Sequence, residues 1–196
     1  MATYHLSTPL QEEDMRKLVI GDVVYLTGHI FTARDMAHLK IRGLLEEGRP
    51  LPKDFTGAAV FHAGPVALKN EDGSWRLNVI GPTTSIRMEP YADVVGKMGI
   101  RAVIGKGGMA EDTVRACNAY GYVYLQAAPG CAAKLAQGVE KINDVTWFKL
   151  GMPEAIWDLQ AKAFGPLVVG MDTHGGSIYA SLKQAAFEKI DALYPA

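Results

Sequence analysis

The chain reads Arg101-Ala-Val-Ile-Gly-Lys-Gly-Gly-Met-Ala-Glu-Asp-Thr-Val-Arg-Ala-Cys-Asn-Ala-Tyr-Gly-Tyr-Val-Tyr-Leu-Gln-Ala127 where its pattern is most regular. The apolar run Arg101–Ile104 predicts a strand, and Tyr122–Ala127 predicts another. A helical pattern from Met109 to Tyr120 lies between them, after a glycine turn. Strand, helix and strand in this order favour a parallel sheet that carries helices.

Outside this stretch, further β-branched runs bounded by Gly, Pro or Asp-Gly predict more strands. They are Val23–Phe31, Ala58–Ala63, Arg76–Ile80, Val145–Leu150 and Leu167–Met171. Two more segments have helical spacing, through Ala37, Ile41, Leu44, Leu45 and Gly48 and through Leu182, Ala186, Ile190 and Leu193. The first half has strands in succession, with a hairpin turn at Asn70–Gly73. We therefore expect an α/β fold with one partly antiparallel sheet and one more parallel sheet covered by helices, as a single domain over residues 1–196.

Composition excludes several classes of function. With 48% hydrophobic and 21% charged residues and a formal net charge of −1, the chain has no broad basic surface for nucleic acid or an anionic membrane. The N-terminus is neither basic nor apolar, and no apolar run is long enough to cross a membrane. Its two cysteines, Cys117 and Cys131, form no Cys-x-x-Cys pair, so we expect a reduced, cytoplasmic protein. Two cysteines are also too few for the three or four thiolates of a four-iron cluster.

Thr32-Ala-Arg-Asp35 connects a predicted strand to a predicted helix and matches a capping box, in which Thr32 and Asp35 satisfy the helix N-terminus. This interpretation leaves Arg34 unexplained, because a cation in the first turn opposes the helix dipole. An arginine at that position suits binding of a carboxylate, whose charge the same helix end favours.

Two other turns are candidates for ligand binding. Gly81-Pro-Thr-Thr-Ser-Ile-Arg-Met88 places three hydroxyls and Arg87 after a strand, where open α/β folds bind ligands, although such a string also serves as an ordinary turn. Gly105-Lys-Gly-Gly-Met109 places Lys106 between a strand and a helix. It matches neither a P-loop nor a dinucleotide fingerprint, so nucleotide binding is disfavoured.

The remaining motifs favour structural roles. Pro153 and Glu154, in Gly151-Met-Pro-Glu-Ala-Ile-Trp157, are typical of a helix start. The five histidines lack metal-ligand spacing; His38 is expected to pack or hydrogen-bond locally, whereas His62, at a strand end, is the better candidate for a pocket. Cys131 has no base evident in the sequence, so acyl transfer finds no support.

Taken in order, six segments resemble the β subunit of iron–sulfur fumarases and tartrate dehydratases, from about Leu10 to Tyr179. They are Gly28-His-Ile-Phe-Thr-Ala-Arg-Asp-Met-Ala-His38, His62-Ala-Gly-Pro65, Gly81-Pro-Thr-Thr-Ser-Ile-Arg-Met88, Gly105-Lys-Gly-Gly-Met109, Gly151-Met-Pro-Glu-Ala-Ile-Trp157 and Asp172-Thr-His-Gly175. Each motif is weak alone, but six in register are specific.

The resemblance implies a swivelling β/β/α domain that pairs with an α subunit, whose three cysteines hold a 4Fe-4S cluster with one open iron, in an α2β2 assembly. It also implies that Arg34, Thr83, Thr84, Arg87 and Lys106 bind the substrate. Thr83 matches the proposed catalytic base, Lys106 is assigned a catalytic role with it, and the proposed acid belongs to the α subunit.

The implied reaction is the reversible hydration of fumarate to L-malate. L-tartrate dehydration to oxaloacetate is an alternative, as is a non-catalytic dicarboxylate-binding module. In either reaction a proton leaves carbon next to a carboxylate, so negative charge accumulates on a group that is already anionic. Arg34, Arg87 and Lys106 suit that charge, and the partner's open iron would act as a Lewis acid on the leaving hydroxyl.

Overall fold

A computed structural model describes residues 1–193. Within that range a seven-stranded sheet and a separate two-stranded sheet are joined by helices. The strands are β1 (Thr3–Ser7), β2 (Val23–Thr32), β3 (Ala59–Phe61), β4 (Val66–Lys69), β5 (Trp75–Val79), β6 (Ala102–Gly105), β7 (Val123–Ala127), β8 (Val139–Thr146) and β9 (Ile156–Met171). The helices are α1 (Glu12–Met15), α2 (Asp35–Glu46), α3 (Ala92–Lys97), α4 (Glu111–Tyr120), α5 (Ala132–Ala136) and α6 (Ile178–Leu193), with 3-10 helices at Ser85–Tyr91 and Phe148–Leu150.

The larger sheet closes on itself. Its order is β1-β2-β3-β6-β7-β9-β8, in which the neighbours from β1 to β7 are parallel, and β9 runs antiparallel to both β7 and β2. Because β9 pairs with β2 as well as with β7, the strands β2, β3, β6, β7 and β9 form a five-stranded barrel. β1 and β8 extend the sheet outside the ring.

This arrangement confirms the α/β class and the partly parallel sheet, but the expected stack of two β layers is wrong. The reason is the length of β9, which has 16 residues where the sequence predicts a strand only at Leu167–Met171. A strand of that length reaches β2 with one part and β7 with another. Closure pairs β2 with β9 inside the ring and leaves β1 and β8 as the edge strands of this sheet.

Apolar residues form two cores on either side of the barrel wall. Inward-facing residues such as Leu26, Phe61 and Trp157 fill the barrel, and each is fully buried. Outward-facing residues of the same strands, including Val103, pack beneath α2, α3 and α4. The alternation along each strand reflects the two-residue period of strand side chains.

Two predicted segments have a different structure from the one expected. Val145–Leu150 is not one strand, because β8 ends at Thr146 and a 3-10 helix follows at Phe148–Leu150. Gly151–Trp157 makes one turn, in which the Ala155 amide donates to the Gly151 carbonyl at 2.9 Å, and no helix follows. The turn ends there because the Trp157 amide donates to the Thr32 hydroxyl at 3.0 Å, which begins the pairing of β9 with β2.

The C-terminal helix α6 matches the predicted helical segment, but its apolar face is exposed. Leu182 is 64% exposed and Ile190 is 50% exposed. Among residues 1–193, no helix is both long and apolar enough to cross a membrane.

Candidate functional site

The carboxyl ends of three parallel strands bring the predicted binding segments to one end of the barrel. β2 leads into Thr32–Asp35, β3 into His62–Pro65 and β6 into Gly105–Met109. These strands are neighbours in the sheet, so the residues that follow them lie side by side. Segments from three separate parts of the chain therefore share one edge.

The turn that contains Thr83 crosses over this edge. Its backbone is bridged to Ala63 through Pro82 and to Lys106 through Thr84. In addition, the Thr83 amide donates to the His62 carbonyl at 2.7 Å. The turn is therefore attached to the ends of both β3 and β6, which places Thr83 and Thr84 next to Lys106.

Arg87 connects this turn to the start of α2. Its guanidinium donates to the Thr83 hydroxyl oxygen at 3.0 Å and pairs with the Asp35 carboxylate at 3.3 Å. The Arg87 side chain is 44% exposed, so it can also meet a ligand from solvent or from a partner. A hydrogen bond from a guanidinium favours negative charge on the oxygen that accepts it.

Arg34 is held by a carboxylate that the sequence does not indicate as part of a site. Its Nε lies 3.2 Å from Oε1 of Glu154, and both side chains are about four-fifths buried, at 21% and 19% exposure. The other oxygen of Glu154 accepts the Met36 amide at 3.0 Å. Glu154 therefore caps the N-terminus of α2 and orients Arg34 beside it.

The predicted capping box is wrong, because the hydroxyl of Thr32 has other partners. It donates to the Ala155 carbonyl at 3.1 Å and accepts the Trp157 amide at 3.0 Å. The helix begins at Asp35 instead, where the Asp35 carboxylate faces Arg87. Thr32 does not cap α2 because the residues at the start of β9, which are distant in sequence, occupy its hydroxyl.

The structure thus links the five predicted binding residues, partly through contacts and partly through adjacency in the chain. Arg34 and Asp35 are adjacent in sequence, Asp35 pairs with Arg87, and Arg87 donates to Thr83. Thr84, the next residue, forms a β-bridge with Lys106. Each guanidinium already has a carboxylate partner, which keeps it in place, while Lys106 is half-buried at the same edge.

His62 and His38 lie beneath this edge and do not reach its surface. His62 is 1% exposed and His38 is fully buried, and their rings meet edge to face at 5.4 Å between centroids. Burial lowers the pKa of His38 to about 4. Burial, with smaller contributions from His38 and Arg87, also holds the pKa of His62 well below its ordinary value. Both rings are therefore neutral near neutral pH.

The residues of this chain do not fit an iron–sulfur cluster. Cys117 is buried and Cys131 is exposed, and burial raises the pKa of the Cys117 thiol. Within residues 1–193, no group of three or more His, Cys, Asp or Glu side chains is arranged to hold a metal ion.

A cavity of about 300 Å³ lies elsewhere on the barrel exterior and includes none of the predicted binding residues. His29 and Asp158 lie on its wall, with the imidazole Nδ1 2.9 Å from the carboxylate. Lys53 is on the same wall and pairs with Asp144. The predicted site is instead an open, cationic edge of the barrel.

Comparison with known proteins gives a consistent family. The model for the fumarase C-terminus matches residues 2–182. The L(+)-tartrate dehydratase subunit beta of Escherichia coli K12 is 42% identical over 96% of this chain and 92% of its own length. A Methanocaldococcus jannaschii protein named as a candidate subunit of the same kind is 46% identical over 94% of this chain and 95% of its own length. A Geobacillus stearothermophilus protein named as a candidate class I fumarate hydratase is 43% identical over 94% of this chain and 35% of its own length.

The matched region contains all five predicted binding residues. The relatives are named as hydro-lyases that act on tartrate or fumarate. The chain therefore belongs to the fumarase C-terminus family and is a subunit of a hydro-lyase.

Proposed function

We propose that this chain is the β subunit of a hydro-lyase for a four-carbon dicarboxylate, and that its cationic edge binds the substrate. The observation that carries the proposal is the contact chain from Arg34 through Asp35, Arg87 and Thr83 to Lys106. Positive side chains from three separate segments lie along one strand-end surface, which suits a small molecule with two carboxylates. The names of the relatives support the same substrate class.

Each side chain has a defined role in this proposal. Arg34 and Arg87 bind the two carboxylates, and Lys106 stabilises the extra charge that develops when a proton leaves the neighbouring carbon. Thr83 accepts that proton. A threonine hydroxyl is normally a poor base, but the guanidinium of Arg87 donates to its oxygen and so stabilises the deprotonated form. Thr84 lies next to the backbone of Lys106 through its β-bridge and completes the polar surface.

We assign the remaining half of the site to an α subunit that carries the 4Fe-4S cluster. Only two cysteines are present in this chain, which is fewer than such a cluster needs. That partner would also bind the hydroxyl group that leaves the substrate. An α2β2 assembly and a cytoplasmic location complete the proposal, and sedimentation of the purified pair tests the stoichiometry.

L-tartrate is the first substrate to test, although the sequence alone favours fumarate. The two relatives that match this chain over more than nine-tenths of their own length are named for tartrate. Fumarate is the second candidate because the relative named for fumarate hydration is equally similar, at 43% identity. The assembled pair should be assayed for oxaloacetate formation from L-tartrate and for hydration of fumarate. Turnover of fumarate alone would reject the tartrate assignment.

A non-catalytic dicarboxylate sensor would use the same cations, so turnover separates it from the enzyme. If the assembled pair binds both dicarboxylates but converts neither, the enzyme proposal fails. In a sensor, Arg87→Ala should weaken binding of the dicarboxylates, and neither the wild type nor the variant should convert them. If the pair turns over and Arg87→Ala abolishes turnover, the sensor is excluded.

A further inference from the structure

A buried polar layer supports the turn that holds Thr83 and Arg87. His62 lies at the end of β3, and its Nδ1 is 3.0 Å from the hydroxyl oxygen of Ser85. His62 is 1% exposed and Ser85 is fully buried. The two residues are therefore a sealed pair beneath the cationic edge and cannot touch a ligand above it.

The backbone of His62 also holds the turn. Its carbonyl accepts the Thr83 amide at 2.7 Å, and its amide donates to the Ile104 carbonyl at 2.8 Å. One residue thus contacts Thr83 through its main chain and Ser85 through its ring. Because Ile104 is the residue before Gly105, His62 also links the turn to the strand that carries Lys106.

Ser85 fills a space that exists only because residue 105 is glycine. A Cβ added to Gly105 would lie 1.8 Å from the Ser85 hydroxyl oxygen and 2.9 Å from the Tyr124 hydroxyl. The Ser85 amide donates to the Lys106 carbonyl at 3.1 Å. The Ser85 side chain is therefore wedged against the strand end at Gly105, one residue before Lys106.

The pair is also uncharged. Burial, together with the neighbouring His38 and Arg87, holds the pKa of His62 well below its ordinary value. A neutral ring can share one hydrogen with the Ser85 hydroxyl without placing a second positive charge beneath Arg87. Its Nε2 has no hydrogen-bond partner among the described residues, so the contact with Ser85 is the one that orients the ring.

We propose that His62 and Ser85 are positioning residues, which set Thr83 and Arg87 against Lys106 at the spacing that the dicarboxylate requires. This inference rests on the proposed function, since it assigns the pair a role in that same site. Loss of the pair leaves the cations present but lets the turn shift relative to Lys106. A displacement of about 1 Å at a catalytic centre can reduce turnover on the order of 100-fold.

The first test is Ser85→Ala in the assembled α–β enzyme. The change removes one hydroxyl and adds no volume, so we expect kcat to fall about 10-fold to 100-fold while the midpoint of thermal unfolding stays close to that of the wild type. Thr173→Ala is the matched control, because Thr173 follows the opposite end of β9 and its buried hydroxyl has no hydrogen-bond partner within residues 1–193. Its kcat should equal that of the wild type. A kcat for Ser85→Ala within twofold of the wild type would overturn the proposal.

A pair of His62 variants separates positioning from packing. Asn keeps a polar group near the position of Nδ1 but leaves a cavity, whereas Leu fills more of the space without a hydrogen bond. If His62 positions the turn, His62→Asn should retain more kcat than His62→Leu, even where it is the less stable of the two. The reverse order of kcat would assign His62 a packing role only.

A structure of the Ser85→Ala chain gives a measurement that does not depend on activity. We expect the distance from the Thr83 hydroxyl to the Lys106 ammonium to change relative to the wild type. If the turn does not move in the Ser85→Ala chain, the positioning role is overturned, even when the wild-type assembly is active. An inactive wild-type assembly rejects the proposed function, while a shifted turn in the variant still supports the positioning of Thr83 by Ser85.

Discussion

Acid should destabilise this protein through His38, which is buried with both ring nitrogens unpaired among the described residues. Its pKa is about 4 in the folded protein against an ordinary value of 6.5. The fold therefore favours the neutral ring, so the stabilisation is complete above pH 6.5 and is lost as the pH falls toward 4. Burial is the main cause, and the nearby Asp35 carboxylate opposes it only in part.

The size of the effect follows from the difference between the two pKa values. One pKa unit corresponds to about 1.4 kcal/mol, so protonating His38 in the folded protein costs about 3 kcal/mol more than in the unfolded chain. The free energy of unfolding should fall by at most about 1.4 kcal/mol per pH unit for each buried histidine. His62 adds a loss in the same direction, because its pKa is also lowered.

Urea unfolding measured from about pH 7.5 to about pH 4 tests this reasoning. His38→Phe keeps an aromatic ring against Tyr91, whose ring is stacked on that of His38 at 5.5 Å, and removes the titrating group. We expect its free energy of unfolding to fall less steeply with acid than that of the wild type. His5→Gln, which removes an exposed ring, serves as the control. Equal slopes for the wild type and His38→Phe between pH 6.5 and 4 would refute the argument.

Three further predictions follow from contacts at or near the site. Arg87→Ala should lower kcat/KM of the assembled enzyme by about 100-fold to 1,000-fold with little change in stability, because it removes a cation that contacts Thr83; kinetics combined with circular dichroism measures both. Glu154→Ala should lower the free energy of unfolding by about 1 kcal/mol or more, because it removes the cap of α2 and the partner of Arg34. Urea titrations measure this loss, and Glu154→Gln should recover part of it. Gly105→Ala should lower the free energy of unfolding by about 1–3 kcal/mol, because the added methyl group clashes with the buried Ser85 hydroxyl. Gly43→Ala is the control, because a Cβ at this position in α2 meets nothing within 4 Å and should not destabilise the protein. Stabilisation by both changes would show that Ser85 does not approach Gly105 closely.

Local patterns predicted much of the fold, because they depend on neighbouring residues. The strand at Arg101–Ile104 and the helix beginning near Met109 appear as β6 and α4, with boundaries shifted by one or two residues. The closure of the barrel was not predictable in this way. It depends on pairs such as Val23 with Val168, whose partners are far apart in sequence.

In the candidate site, too, local motifs were predictable from the sequence, whereas contacts between distant residues were not. Arg34 and Lys106 were predicted from short motifs at strand ends, and the parallel strands β2, β3 and β6 bring these ends to one edge. Arg87 was predicted in the same way, but it follows β5 of the separate two-stranded sheet, and its turn reaches that edge through bridges to Ala63 and Lys106. Glu154 was assigned to a helix start because Pro153 and an acidic residue are typical of one. Its contact with the Met36 amide spans 118 residues, and nothing near it in sequence signals that partner.

The long final strand also has a consequence for synthesis on the ribosome. Val168 pairs with Val23, and Met171 pairs with Tyr124, so the ring cannot close until these late residues of β9 have left the exit tunnel. Glu154 holds Arg34 from the loop just before this strand. A nascent chain that stalls before that point lacks the Glu154 partner of Arg34, so the proposed anion-binding edge is complete only when folding has finished.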